Sequence, residues 1–183
     1  SAESVNHTND YIRQGCDYVE LWETIDFVSK QQTDNFQLVL RAVPQLLSVN
    51  NYHEYILKAH QLGLAITSIP LSYPEHMAVN VLPWDIRQEL KLNYQHALEQ
   101  LQQDTDKPVF QTIALGRDAS RLTQTLSREC EVVIKMLDSK TPDNVDQLRT
   151  TLVQWVLKWD KKDNYNALAL YPQYKEVLKK YGY

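Results

Sequence analysis

A mixed α/β fold is what this chain predicts, and three features carry the expectation. FQLVLRAV (36–43) and LAITSIP (64–70) are short apolar runs rich in β-branched residues, the composition of strands. Between them, NNYHEYILKAHQLG (50–63) sets Tyr52, Tyr55, Ile56, Ala59 and Leu62 on one helical face. About twenty residues from one strand to the next suits a βαβ crossover, which needs a dozen or more and is nearly always right-handed. Beyond Pro83 the apolar periodicity is helical, so a helical region should follow the sheet.

In chain order, residues 1–17 are polar and irregular, and a helix follows with Tyr18, Leu21, Trp22, Ile25 and Val28 on one face. The strand–helix–strand unit comes next, with Gly63 placed to stop its helix. From Trp84 to about Gln103, Ile86, Leu90, Tyr94, Ala97, Leu98 and Leu101 make a long amphipathic helix entered from Pro83. After KPVFQTIALGR (107–117), Asp118 is the expected cap of a helix whose stripe is Leu122, Leu126, Cys130, Val133 and Leu137. Pro142 suits the first turn of a further helix, with Val145, Leu148, Leu152, Trp155 and Trp159 as its buried seam. A short last helix should follow Pro172 through Tyr174, Val177, Leu178 and Tyr181.

Composition narrows the function classes. At 183 residues, 43% apolar and 23% charged, the chain suits one soluble domain with a developed core. A net charge of −4 argues against a dominant nucleic-acid or anionic-membrane surface. Cys16 and Cys130 give neither a disulfide framework nor a metal-ligand pair, and free thiols suit a reducing, cytoplasmic compartment. No apolar run reaches about eighteen residues and no signal peptide is visible, so no membrane partner is expected. The 4 glycines stand apart, which excludes a glycine-rich phosphate cradle. No complete catalytic or metal motif is present, and a serine nucleophile elbow is excluded by the missing G-x-S-x-G.

Parallel sheets place ligands beyond the carboxyl ends of their strands, so the loops after Val43 and Ile69 are where a site is expected. Gln37, Arg41 and Gln45 share one face by period-two alternation, and would line either a ligand or a solvent-facing edge. His7 and His76 fall in loops at that end, where general acid–base work is possible. Tyr73 and Trp84 flank the same loop, as substrate contacts or as packing anchors. His53 and His60 read as surface residues, and Trp155 with Trp159 as core. Two strands alone neither close a barrel nor form an ordinary α/β sheet. Further strands preceding Ser1 are the economical expectation, with residues 1–17 a loop leaving one of them. The absence of an initial methionine suits an excised or processed piece.

SAESVNHTNDYIR (1–13), the Trp-containing helix after it and LVLRAV resemble the second half of a radical S-adenosylmethionine barrel of the twitch type. In that family the stretch reads roughly S-[IV]-D-G/A, then EYIR, then a helix. The resemblance continues through VNNYHEYILKAHQLGL, and through PLSYPEHMAVNVLP, which is similar to an extended family segment ending in N-L-P. LVQWVLKWDKKDNYNALALYPQYKEVL (152–178) is similar to the family's L-D-x-x-R…F-P-E-L tail. Residues 104–145 carry the least likeness. Glu3 stands for the family's Asp, Ser4 for its Gly or Ala, and the tail arginine is replaced near Asp163.

That resemblance implies the C-terminal part of a partial (β/α) barrel followed by a helical C-terminal region. Residues 1–103 would be the barrel's second half and 104–183 an extension packed on it as a single unit. It implies a radical enzyme whose intact parent uses S-adenosylmethionine and a [4Fe–4S] cluster on a small molecule or peptide, with the upstream half of the barrel as partner. Ser1 and Arg13 match the positions that contact the cofactor's ribose and carboxylate, and Arg41, Gln45, Tyr73 and His76 would lie toward substrate. The plain alternatives are that Ser1 is a ragged terminus and Arg13 a salt bridge where a helix begins. The C-x₃-C-x₂-C cluster motif and any C-terminal cysteine group are missing, so this piece alone would hold no cluster. The competing class is a non-catalytic α/β domain or protein-interaction module.

Overall fold

The computed structural model describes residues 2–33, 35–103 and 119–183. Helix α1 (Thr8–Ile12) and helix α2 (Tyr18–Ser29) precede strand β1 (Val39–Ala42), and helix α3 (Tyr52–Gln61) connects it to strand β2 (Ala65–Ser68). Helices α4 (Trp84–Gln103), α5 (Ala119–Leu137), α6 (Val145–Asp163), α7 (Ala167–Leu170) and α8 (Lys175–Lys180) follow. The expected helices thus form around a small sheet, and α1 is an addition within a segment that reads as irregular. Asn6 Oδ1 starts α1 by accepting from Thr8 N (3.0 Å), and Gly15 at φ +83° reverses the chain toward α2. Asp17 caps α2, accepting from Val19 N (2.8 Å) and Glu20 N (3.3 Å). Asp118 lies outside the described residues.

β1 and β2 pair in parallel, with Val39 opposite Ala65 and Arg41 opposite Thr67. Both strands are shorter than their apolar runs. Thr33 and Phe36 exchange backbone bonds with each other (2.9 and 3.2 Å), and Leu38 N is taken by Gln32 Oε1 (3.0 Å), so the ladder starts at Val39. At its other end Pro44 lacks the N–H that the next bond of the ladder needs. Leu40, Ala42 and Ile66 are buried together with Tyr52, Tyr55, Ile56 and Ala59 of α3. Val39, Arg41 and Thr67 on the opposite face are exposed.

β1 also has a neighbour on its other side. Ile69 N bonds Ala42 O (3.2 Å), so the backbone groups of even-numbered residues face β2. Those of odd-numbered residues face residues 2–3: Ala2 N bonds Arg41 O (3.2 Å), and Val43 N bonds Glu3 Oε2 (2.9 Å). One backbone bond and one side-chain bond thus join residues 2–3 to this edge of β1.

The helical region packs onto this unit, with α5 against α3, α4 and β2. Arg87 of α4, 1% exposed, donates to Leu137 O (2.9 Å), Ser139 O (2.6 Å) and Thr141 Oγ1 (2.6 Å), capping α5 from the side. Asp160 of α6 accepts from Tyr11 Oη (3.0 Å), Tyr183 Oη (2.5 Å) and Ala167 N (2.9 Å), joining the N-terminal helix to the C-terminal tail. Asn164 ends α6 at φ 54°, a left-handed cap that asparagine tolerates. Among the described residues no helix is long and apolar enough to cross a membrane.

Candidate functional site

The carboxyl end of β1 carries a buried acid. Glu3 is 1% exposed, and each of its oxygens is used: Oε2 by Val43 N, Oε1 by Arg13 Nη2 in an ion pair. Its backbone N–H donates to Asn9 Oδ1 (2.9 Å), which fixes the loop before α1. Trp22 Nε1 donates to Ser4 O (3.1 Å), and Asn51 Nδ2 to Thr8 Oγ1 (3.1 Å), holding that loop against α2 and the start of α3. The Arg13 side chain is 41% exposed, whereas that of Glu3 is 2% exposed. A guanidinium is thus presented at the surface from a buried, hydrogen-bonded carboxylate, and a fork of this kind suits recognition of a carboxylate or phosphate.

The other expected site residues occupy separate environments. Ser1 lies outside the described residues; Ala2 beside it is buried. Arg41 is on the exposed face of β1, opposite Thr67, as the alternation requires. Gln45 does not share that face. The strand has ended at Ala42, Gln45 N donates to Ser48 Oγ (3.0 Å) in a turn closed by Val49 N on Gln45 O (2.8 Å), and the residue is 8% exposed. Tyr73 projects to solvent at 82% exposure. His76 is 7% exposed with its ring 5.5 Å from that of Trp155, its Nε2 has no partner, and burial lowers its pKa. His7 is exposed and pairs with Asp10 (3.2 Å). Trp155, expected in the core, remains 42% exposed over His76.

A groove of about 760 Å³ opens between the segment following β2 and the helical region. Leu71, Val79, Val132, Met136 and Leu148 form its walls, with Glu75 and Lys135 among its polar lining. Val132 and Met136 lie off the buried stripe of α5, which is why periodicity alone passes over them. The apolar density of residues 69–82 is the sequence signal that a surface there is covered or concave.

S-adenosylmethionine and a [4Fe–4S] cluster fare differently against these residues. Arg13, exposed at the carboxyl end of β1, fits the cofactor's carboxylate. The cluster does not fit: three thiolates are required, and the chain has two cysteines, Cys130 being buried at 0% exposure. No step through a cluster is assigned to this chain. Comparison with protein families, with curated proteins and with solved structures finds no match to it.

Proposed function

We propose that this chain is the C-terminal part of a cytoplasmic radical S-adenosylmethionine enzyme, contributing part of the cofactor and substrate pocket. The observation that supports the reading is the parallel pair β1 and β2, with residues 2–3 bonded to the outer edge of β1 and Arg13 anchored at its carboxyl end. Arg13 grips the cofactor's carboxylate, and Arg41 with Thr67 faces the barrel interior toward a small-molecule or peptide substrate; the ribose contact assigned to Ser1 by the resemblance lies outside the described residues. The free thiols Cys16 and Cys130 agree with a reducing compartment.

One observation favours the competing reading of a non-catalytic α/β domain. Arg13 already has a partner in Glu3, and a structural clamp needs nothing more. Titration of the anaerobically reconstituted full-length protein with S-adenosylmethionine separates the two. Arg13→Ala should weaken binding by about 1.5–3 kcal/mol, the range for a hydrogen bond to a charged group. Arg13→Lys should recover only part of this, because a point charge cannot reproduce the fork. Unchanged affinity in Arg13→Ala, with iron and sulfide content intact, would leave Arg13 a clamp and the chain an interaction domain.

A further inference from the structure

We infer that Glu3 is the positioning residue of the Arg13 site, an inference that rests on the reading of Arg13 as a carboxylate-binding arginine. A solvent-exposed arginine samples many rotamers, and ordering it for a ligand costs side-chain entropy. Here the ordering is supplied before any ligand arrives. Glu3 is buried, and its second oxygen is held by Val43 N at 2.9 Å, so the carboxylate cannot swing with the arginine. The neighbouring backbone is fixed on both sides, by Ala2 N on Arg41 O (3.2 Å) and by Glu3 N on Asn9 Oδ1 (2.9 Å). The guanidinium is thereby tied to the end of β1. The longer side chain of glutamate matters because a single carboxylate spans from the backbone of β1 to a residue ten positions away in sequence.

The role differs from simple structural support in what it acts on. Glu3 touches no ligand; it sets the direction of the group that does. Its removal should affect only ligands that engage Arg13, and among adenosine-containing ligands those are the ones with a carboxylate. S-adenosylmethionine has a carboxylate, whereas 5′-methylthioadenosine has the same nucleoside and sulfur but no amino-acid end.

The test is calorimetric titration of the full-length protein with both compounds, for wild type, Glu3→Gln, Glu3→Asp and Arg13→Ala, with a thermal melt of each. Glu3→Gln keeps the shape and an acceptor for Val43 N but removes the charge that holds Arg13. It should weaken S-adenosylmethionine about tenfold, one charge-assisted hydrogen bond's worth, and leave 5′-methylthioadenosine unchanged. Glu3→Asp should fall between wild type and Glu3→Gln, since the charge returns at shorter reach. Equal weakening of both compounds, or of neither, would overturn the inference and make Glu3 a fold-supporting residue. If wild type binds 5′-methylthioadenosine and not S-adenosylmethionine, or binds neither, the assignment of Arg13 fails and the inference falls with it. If wild type and Arg13→Ala bind S-adenosylmethionine equally, the failure again lies with Arg13. A variant that melts before binding is measured is replaced by Asn9→Asp, which places a second carboxylate beside Glu3 N and should also weaken only the carboxylate-bearing ligand; parallel loss of both compounds there overturns the inference.

Discussion

Replacing Asp160 by alanine should loosen the attachment of both chain ends at once. Its carboxylate accepts from Tyr11 Oη, Tyr183 Oη and Ala167 N. Hydrogen bonds to a charged group contribute about 1.5–3 kcal/mol each, and Asp160 is only partly buried, so the low end applies to the two outer bonds. Tyr11 is 0% exposed, and its hydroxyl would be left buried without its acceptor, an added cost of about 1–3 kcal/mol. One term runs the other way: a negative charge in the last turn of α6 opposes the helix dipole by about 0.3–1 kcal/mol, and the alanine removes it. Counting the Tyr11 bond once, through the cost of its unmet hydroxyl, the balance is a loss of about 3–6 kcal/mol, or a melting temperature lower by about 6–24 °C for a chain of this size. Asp160→Asn retains one acceptor oxygen and should lose less than half as much. Tyr11→Phe and Tyr183→Phe measured with Asp160→Ala in double-mutant cycles would apportion the loss. Chemical denaturation with linear extrapolation is the assay. A loss below about 1 kcal/mol for Asp160→Ala would refute the idea that this carboxylate holds the two termini together.

Burial raises the pKa of Tyr11, Tyr52, Tyr55, Tyr94, Tyr171 and Tyr174 in the folded state. Stability from these groups should be intact below the unfolded value near 10 and fall as pH rises beyond it, by about 1.4 kcal/mol per pH unit for each tyrosine that ionises only on unfolding; denaturation curves between pH 8 and 11 that coincide would contradict this. Cys130 is buried with its thiol pushed up to about 12, whereas Cys16 is partly exposed, so a thiol reagent should label one cysteine in the native protein and two in denaturant. The 183-residue chain alone should self-associate through the edge of β1 that faces Ala2, and Val39→Lys should reduce the association; a monodisperse monomer with a sharp cooperative melt would count against the barrel reading.

Much of the framework was legible because local pattern and tertiary packing agree. The β-branched runs, the stripe of α3 and the prolines before α4 and α6 each mark an element that forms close to the expected place. Agreement failed where a polar residue is claimed by tertiary structure. His60 reads as surface but is 5% exposed, with its Nε2 3.4 Å from Thr123 Oγ1 of α5. Gln45 continues a period-two pattern that Pro44 and the Ser48 hydroxyl terminate. Helix α1 has five residues and no apolar stripe of its own; the turn before it and the buried Tyr11 hold it, and neither leaves a periodic signal. Glu3 was visible only as a departure from a motif. Its importance comes from reaching backbone forty residues away, a contact no local window contains.

The two faces of the sheet are unequal in a way that bears on function more than any single side chain. Parallel sheets are ordinarily covered on both faces, because the crossover helix hides one and a second layer hides the other. Here α3 covers Leu40, Ala42 and Ile66, while Val39 at 45% and Ile69 at 72% exposure remain open beside Arg41 and Thr67. Apolar and cationic groups side by side fit neither a plain solvent surface nor a dry interface. On the proposed reading they would line the barrel interior and meet a ligand with both kinds of surface. The Glu3–Arg13 pair stands at the carboxyl end of the same strand. An interaction module would use that face for a partner protein, and Arg13 would then matter only for stability. The separation of carboxylate-bearing from carboxylate-free ligands in the Glu3 and Arg13 variants therefore decides what the arginine does.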